Sequence, residues 1–314
     1  MLDHVNSRTL QRVALIGRYA TPGVAEPLTR LARFLQQRGR EVVLEEETAR
    51  FTPLTGYPTA RSSALGGRAD VAIVIGGDGT LLSVARQLAP LDVPLIGVNL
   101  GRLGFLTDIP LADMEASLAG ILDGRYVEER RTLLAADVCH HGTPGEKALA
   151  VNEVVVSRGS IGGMIDLAVE IDGRFVYAMR ADGLIVATPT GSTAYALSAQ
   201  GPILHPQVAA VVLVPVAPHA LTNRPIAVSE ASSIIITVVR GKDASAHCDG
   251  QSHFPLQEGD TVHVRRAEYP ARLLHPQGYD HFAMLREKLH WSETPEQVRP
   301  PAQKSGRSGP PGGT

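Results

Sequence analysis

The chain has 314 residues, 44% of them hydrophobic and 20% charged, the balance of a soluble globular protein with more than one domain. Its 30 Lys and Arg stand against 32 Asp and Glu, a net charge of −2, which weighs against general nucleic-acid binding because no basic excess is available to displace counterions. Two cysteines (Cys139, Cys248), an opening MLDHVNSRTLQR without an apolar run, and no stretch of ~20 apolar residues predict no disulfide framework, no leader and no membrane span, hence a cytoplasmic protein.

The first elements alternate. RVALIGR (12–18) reads as a buried strand, and Leu28, Leu31 and Leu35 mark a helix over 26–38 that stops at Gly39. EVVLEEE follows as a second strand, with Glu45, Glu46 and Glu47 at a solvated end. VAIVI (71–75) is a continuous run of the kind buried on both faces of a parallel sheet. A helix opening at Thr80 carries Leu81, Val84, Ala85 and Leu88 on one face; VPLIGVN (93–99) is a further strand, and Leu111, Met114, Leu118 and Ile121 mark a helix ended near Gly124. This order predicts an α/β N-terminal domain with a parallel sheet flanked by helices.

After about residue 130 the pattern changes to alternation. Ile165, Leu167, Val169 and Ile171 lead through Asp172-Gly173 into RFVYAMR, a two-residue hairpin signal. Strands are also predicted at 131–138, 149–156, 183–188, 209–216, 233–240 and 260–266, giving a mainly antiparallel, sandwich-like β domain. The resulting domain scheme is 1–126, completed by a closing helix within 277–291, then 127–276, and a Pro- and Gly-rich tail, 292–314, that is predicted to be disordered.

The most informative text is VAIVIGGDGTLLSVAR. A buried strand runs into Gly76, Gly77, Asp78 and Gly79, and Thr80 opens a helix, whose free N–H groups and positive dipole end suit phosphate. Neither the Walker loop nor the dinucleotide fingerprint is met, since Leu82 stands where the last glycine belongs. A carboxylate among anion-binding amides makes sense if it takes a proton from a hydroxyl, or if a divalent cation bridges it to phosphate. A helix cap is the alternative use of Asp78. Downstream, Asn152-Glu153 stands at the edge of an otherwise apolar strand, where ribose hydroxyls or an adenine edge would satisfy a buried polar group; a strand-end pair in solvent is the alternative. TPTGSTAYALS forms a turn in which Ser192 or Thr193 is predicted to cap a short helix, with Tyr195 offering a flat face for adenine. The runs Cys139-His140-His141 and His247-Cys248 are predicted to lie on strands, where neighbours diverge, and have no zinc spacing.

GGDGT (76–80), the Asn152-Glu153 pair, DG…TPTGSTAY (182–195), VPVAPHALTNRP (214–225), CDGQ (248–251) and GRLGFLTD (101–108) together resemble the NAD kinase family. GGDGT alone is shared with phosphofructokinases and lipid kinases related to diacylglycerol kinase; the TPTGSTAY signature is the specific part. The resemblance implies ATP-dependent phosphorylation of the adenosine 2′-hydroxyl of NAD, with Asp78 as general base and the Gly76–Thr80 amides holding phosphates with Mg²⁺. It implies that Asn152 and Glu153 bind adenosine, and that Thr193, Ala194, Tyr195, Ala196, Leu197 and Ser198 line the NAD site. Arg180, Asp182 and Ala217 would serve the nicotinamide half, with Arg180 and Asp182 near a subunit boundary, and Gln251 would approach the ligand. A homodimer or homotetramer is implied, with NAD and ATP as partners and neither nucleic acid nor membrane; the metal has no side-chain motif of its own. GRLGFLTD is expected to be an interdomain linker. Some members carry a basic residue or His where this chain has Gly162-Gly163. A lipid or sugar kinase and a dinucleotide sensor without turnover are the rival readings. The first lacks an amphipathic docking segment here, and the second would not need Asp78.

Overall fold

The computed structural model describes residues 10–17, 23–101, 104–159 and 163–291. The expected tail (292–314), Gly162, and Arg102 and Leu103 of the GRLGFLTD segment lie outside the described residues. The first sheet has eight strands. Seven run in the order Thr59–Ala60, Glu41–Glu45, Arg12–Gly17, Val71–Gly76, Leu95–Asn99, Ala271–Pro276, Tyr126–Arg131, and Ile109–Pro110 pairs with Leu95–Asn99 off that path. All pairings are parallel except that of Tyr126–Arg131 with Ala271–Pro276.

Period-two alternation sends the side chains of one strand to opposite faces, and two cores result. Val13, Leu15, Ile73 and Ile75 pack under the helices Ala25–Gln37 and Met114–Leu122, through Leu28, Leu31, Leu35 and Leu118. Ala14, Ile16, Ala72 and Val74 pack instead under the helix Asp78–Leu88, through Leu81, Ala85 and Leu88. Each fully buried Leu or Ile contributes ~1.5–3 kcal/mol. The chain moves outward in one direction from Arg12–Gly17 and in the other from Val71–Gly76, so the sheet's topological switch point lies between these strands. A crevice at the carboxyl ends of strands at such a point is where open α/β sheets take their ligands.

The rest is two six-stranded antiparallel sheets whose inner faces share one core, including Val154, Val156, Leu184 and Val186 from one sheet and Leu167, Val169, Ile236 and Val264 from the other. The fold class expected from sequence is thus the one found. The hairpin at Asp172-Gly173 has both central residues at positive φ (51° and 72°), the geometry that a right-twisted two-residue hairpin demands.

Several boundaries differ from the sequence reading. Residues 131–138 are not one strand: Tyr126–Arg131 belongs to the first sheet and Leu134–His140 to the sandwich. Residues 149–156 likewise split into Thr143–Ala150 and Glu153–Ser157, with the break at Val151-Asn152. Ala271–Pro276, placed by the sequence in the β half, joins the first sheet between Leu95–Asn99 and Tyr126–Arg131. The last described helix, His281–Leu289, is capped by the Asp280 carboxylate, which accepts from Phe282 N at 2.9 Å, and ends where His290 takes φ 54°.

Candidate active site

The strand Val71–Gly76 stops at Gly77, which is the extended N-cap of a helix whose first residue is Asp78, two positions earlier than the sequence suggested. Asp78 does not cap its own helix. Its Oδ2 accepts from Phe105 N (2.7 Å), and its Oδ1 from Leu106 N (3.1 Å), Thr107 N (3.0 Å) and Thr107 Oγ1 (3.0 Å). Thr107 Oγ1 in turn accepts from Asn99 Nδ2 at 2.8 Å. Phe105, Leu106 and Thr107 are therefore a clamp on Asp78, a role the linker reading missed. A Cβ at Gly104 would lie 1.9 Å from Asp78 Oδ1, so only glycine lets this loop approach the carboxylate. Among the described residues Oδ2 accepts from Phe105 N alone, which leaves it a further lone pair. A Cβ at Gly77 would meet nothing within 4 Å, and one at Gly79 only Gln251 Nε2 at 3.9 Å, so the helix start is open to an incoming group.

Beside this loop, at the switch point, lies a cavity of about 540 Å³ lined by Gly17, Glu45, Thr80, Ser83, Gln87 and Gln251, among others. Glu45 is not at a solvated strand end. It is 7% exposed and caps the helix Glu46–Arg50, accepting from Thr48 N at 2.8 Å.

Asn152 lies at a bend and Glu153 begins the strand that follows it, and the cause is Asp249. Its carboxylate accepts from Val151 N (3.0 Å), Asn152 N (2.8 Å) and Glu153 N (3.2 Å), taking up backbone donors that a strand would have paired. Arg86, on the helix that Asp78 begins, meets the fully buried Asp249 side chain at 2.5 Å. Arg86 also donates to Gln251 Oε1 (2.5 Å), and Gln251 Nε2 donates to Gly79 O (2.9 Å). One polar chain thus joins the glycine loop to the Asn-Glu pair. Neither Arg86 nor Asp249 was singled out from sequence; the only signal was the charge inside CDGQ. Burial, then the negative charge of Asp249, push the Glu153 carboxyl up to about 7, against the pull of Tyr195 N–H.

The TPTGSTAY turn sits directly on this bend. Thr188 Oγ1 donates to Val151 O (2.6 Å), Thr188 N to Asn152 O (2.9 Å), and a Cβ at Gly191 would fall 2.1 Å from Asn152 O. The expected side-chain cap is absent: Ser192 Oγ donates to Pro189 O (2.6 Å) and accepts from Leu204 N (2.9 Å), tying the turn to the next loop. Thr193 Oγ1 donates to Thr190 O (3.0 Å), Ala194 joins a 3-10 turn to the short helix Tyr195–Ser198, and Tyr195 is half-exposed. Ala196 is fully buried against Ile185, Val212 and Val214, so its methyl supports the turn and faces no cavity; Leu197 is half-buried and Ser198 exposed.

Tyr195 and Ser198 also line a second cavity, about 810 Å³, together with Ala217, Asn223 and Arg224. Ala217 holds φ 43° there. Arg180 is paired with Asp166 (2.7 Å) and Asp182 with Arg158 (2.7 Å), and His219 N donates to Arg180 O (2.8 Å). The structure therefore joins Gly79, Gln251, Asn152, Glu153 and Tyr195 in one bonded group, with Asp78 heading the same helix as Arg86. Tyr195 links that group to the Ala217 cavity.

A doubly wound sheet with a glycine-rich loop opening a helix at its switch point, joined to a β sandwich, defines a two-part nucleotide-binding scaffold. Residues 13–126 match the family model of the ATP-NAD kinase N-terminal domain, and residues 151–276 that of the ATP-NAD kinase C-terminal domain. The chain is 54% identical over 283 residues to the NAD kinase of Paraburkholderia phytofirmans, covering 90% of this chain and 94% of that one. It is 54% identical to the NAD kinase of Burkholderia thailandensis, covering 90% and 95%. The crystal structure of an NAD kinase from Archaeoglobus fulgidus in complex with ATP aligns with a TM-score of 0.70 at 29% identity, over 89% of this chain and 98% of that one. Yeast NADH kinase complexed with NADH shares the fold, with a TM-score of 0.81 at 24% identity over 93% and 91%. With both halves matched and close relatives spanning nearly all of it, this chain belongs to the ATP-NAD kinase family.

Proposed function

We infer that the protein is an NAD kinase, transferring the γ-phosphate of ATP to the 2′-hydroxyl of the adenosine ribose of NAD to give NADP. The observation that carries the chemistry is the clamped Asp78, held at the open start of a helix with one Oδ2 bond among the described residues. Asp78 takes the hydroxyl proton as the ribose oxygen attacks phosphorus. The phosphates of the donor lie at the Gly76–Thr80 loop and in the adjoining cavity, where the positive end of the helix favours negative charge, Thr80 N–H itself donating to Gly77 O (3.0 Å). Asn152, Glu153 and the Thr193–Tyr195 turn hold adenosine, and the bonded group around Asp249 keeps that turn in register with the loop. Ala217, with Arg180 and Asp182 nearby, serves the nicotinamide half.

Mg²⁺ fits the site by donor chemistry. The cavity is lined by oxygen donors, including Thr80, Ser83 and Glu45, and a hard cation held mainly through ATP phosphates requires only oxygen. Bound there, the ion would neutralise charge on the triphosphate. A homodimer or homotetramer belongs to the same reading. It is supported by the edge strand Arg174–Ala181, where Phe175 and Val176 are exposed at a free sheet edge. Among the described residues no helix is long and apolar enough to cross a membrane.

Supplying NAD, ATP labelled at its γ-phosphate, and Mg²⁺ to the purified protein tests the reading. Labelled NADP with the phosphate on the 2′-oxygen is expected. Tight NAD binding with no labelled NADP would overturn it.

A further inference from the structure

The mechanism above makes no use of one buried ionisable group, held between two carboxylates. His275, 1% exposed, lies on the strand Ala271–Pro276 between the two strands that border it. Its Nδ1 is 2.9 Å from Asp108 Oδ2 on one side, and its Nε2 is 3.3 Å from Glu129 Oε2 on the other. Its ring stacks on Tyr279, with centroids 3.9 Å apart and planes 10° apart. Glu129 Oε2 in turn meets Arg131 Nη2 at 2.6 Å, and Arg131, 3% exposed, donates from Nη1 to Thr190 Oγ1 at 3.3 Å. Tyr279 OH accepts from Arg131 at 3.5 Å.

The two ends of this chain of contacts matter. Asp108 follows Thr107, whose N–H and hydroxyl both bind Asp78. Thr190 is the third residue of the turn that rests on Asn152, and its carbonyl accepts from Thr193 Oγ1. A buried ionic relay therefore runs from the clamp on the base to the turn assigned to adenosine, by a route separate from Arg86 and Asp249. An apolar filler would pack this space at less cost, since each buried ion carries a desolvation penalty of several kcal/mol. What the ions add is a directional bond from His275 to Asp108 and a short-range charge contact to Glu129. Burial lowers the His275 pKa, but the bonding and charges of Asp108 and Glu129 outweigh it and leave it raised.

We propose that His275 is a positioning residue of the kinase reaction, which, through Asp108 and Glu129–Arg131, keeps the Phe105–Thr107 clamp on Asp78 in register with the Thr188–Thr193 turn. The proposal rests on the NAD kinase reading, and its test separates the two. Wild-type protein is first assayed for NADP; absence of product there would count against the reading itself. The relay is read apart from turnover, by hydrogen exchange at the amides of Phe105, Leu106 and Thr107 with and without saturating NAD.

In the wild type, NAD slows exchange at these amides. In His275→Asn, which keeps a donor for Asp108 but loses the contact to Glu129, NAD still binds, the slowing is lost, and kcat falls ~10- to 100-fold with KM for NAD little changed, because misplacement rather than lost binding is the defect. Thr190→Val cuts the far end without disturbing the ions, and the same loss of slowing is expected if His275→Asn does not fold. A merely structural His275 would lower the melting temperature and leave kcat and the NAD-dependent slowing intact. That result in either variant would overturn the proposal.

Discussion

Asp78 shows what a carboxylate needs in order to sit at the start of a helix. Its two oxygens take four donors from one loop, and that loop reaches it only because residue 104 has no side chain. Gly104→Ala would place a methyl group inside van der Waals contact of Oδ1, forcing either the loop or the carboxylate to move. We expect it to cut kcat about a hundredfold while costing only ~1–3 kcal/mol of stability, checked by steady-state assay beside urea unfolding. Glu153 makes a second residue-scale prediction, through pH. Its folded pKa, about 7, lies above the ordinary 4.5, so the folded state holds a proton that the unfolded chain releases earlier. Stability attributable to Glu153 therefore falls as pH rises between these values and is level outside them. Glu153→Gln should gain on the wild type by about 3 kcal/mol at pH 8 relative to pH 4, read by urea unfolding at both. An equal difference at the two pH values would contradict the assignment. The catalytic candidate was legible at this scale because GGDGT is contiguous and a carboxylate among glycines is chemically odd. The clamp was not, because it is made of backbone amides that any residue supplies.

Between elements, Asp249 holds the bend at Val151–Glu153 against three amides and Arg86. Asp249→Ala would leave a nearly buried guanidinium unpaired and three donors unmatched, at ~3–5 kcal/mol. Chemical denaturation measures that loss, and a raised KM for NAD should accompany it, since the Asn152 backbone carries the turn. The elements that sequence revealed and those it hid differ in physical character. Strands buried on both faces, such as Val71–Gly76, are written in β-branched residues and were plain. Ala244–Cys248 (ASAHC) has none, and only its His247-Cys248 end was read as strand; Ser252–Leu256 contains Pro255, tolerated because that strand lies at a sheet edge. Tyr126–Arg131 is also an edge strand, and its run of four charged residues reads as loop until its partner is known. Asn152-Glu153 read as a polar pair at the edge of one apolar strand over 149–156; the strand breaks there instead, and the reason lies nearly a hundred residues away, at Asp249.

Across the whole chain, the first sheet closes only when Ala271–Pro276 returns from the far side of the sandwich. No local pattern encodes that return, which is why the domain boundaries drawn from sequence stopped short of it. A fragment ending at Arg131 would lack the strand that separates Leu95–Asn99 from Tyr126–Arg131, leaving one edge bare and the other strand unpaired. Such a fragment should show no cooperative thermal transition by circular dichroism, although it contains the entire stretch, 13–126, matched by the N-terminal family model. Cooperative melting of the fragment would contradict that view.

The central claim is that Asp78 accepts the proton of the sugar hydroxyl. Asp78→Asn keeps an oxygen for the clamp and removes the basicity, so single-turnover formation of NADP from prebound NAD and ATP with Mg²⁺ isolates the step. The account predicts a fall of ~10²- to 10⁴-fold in that rate with NAD affinity held within a few-fold of wild type. An undiminished rate in the variant would contradict it.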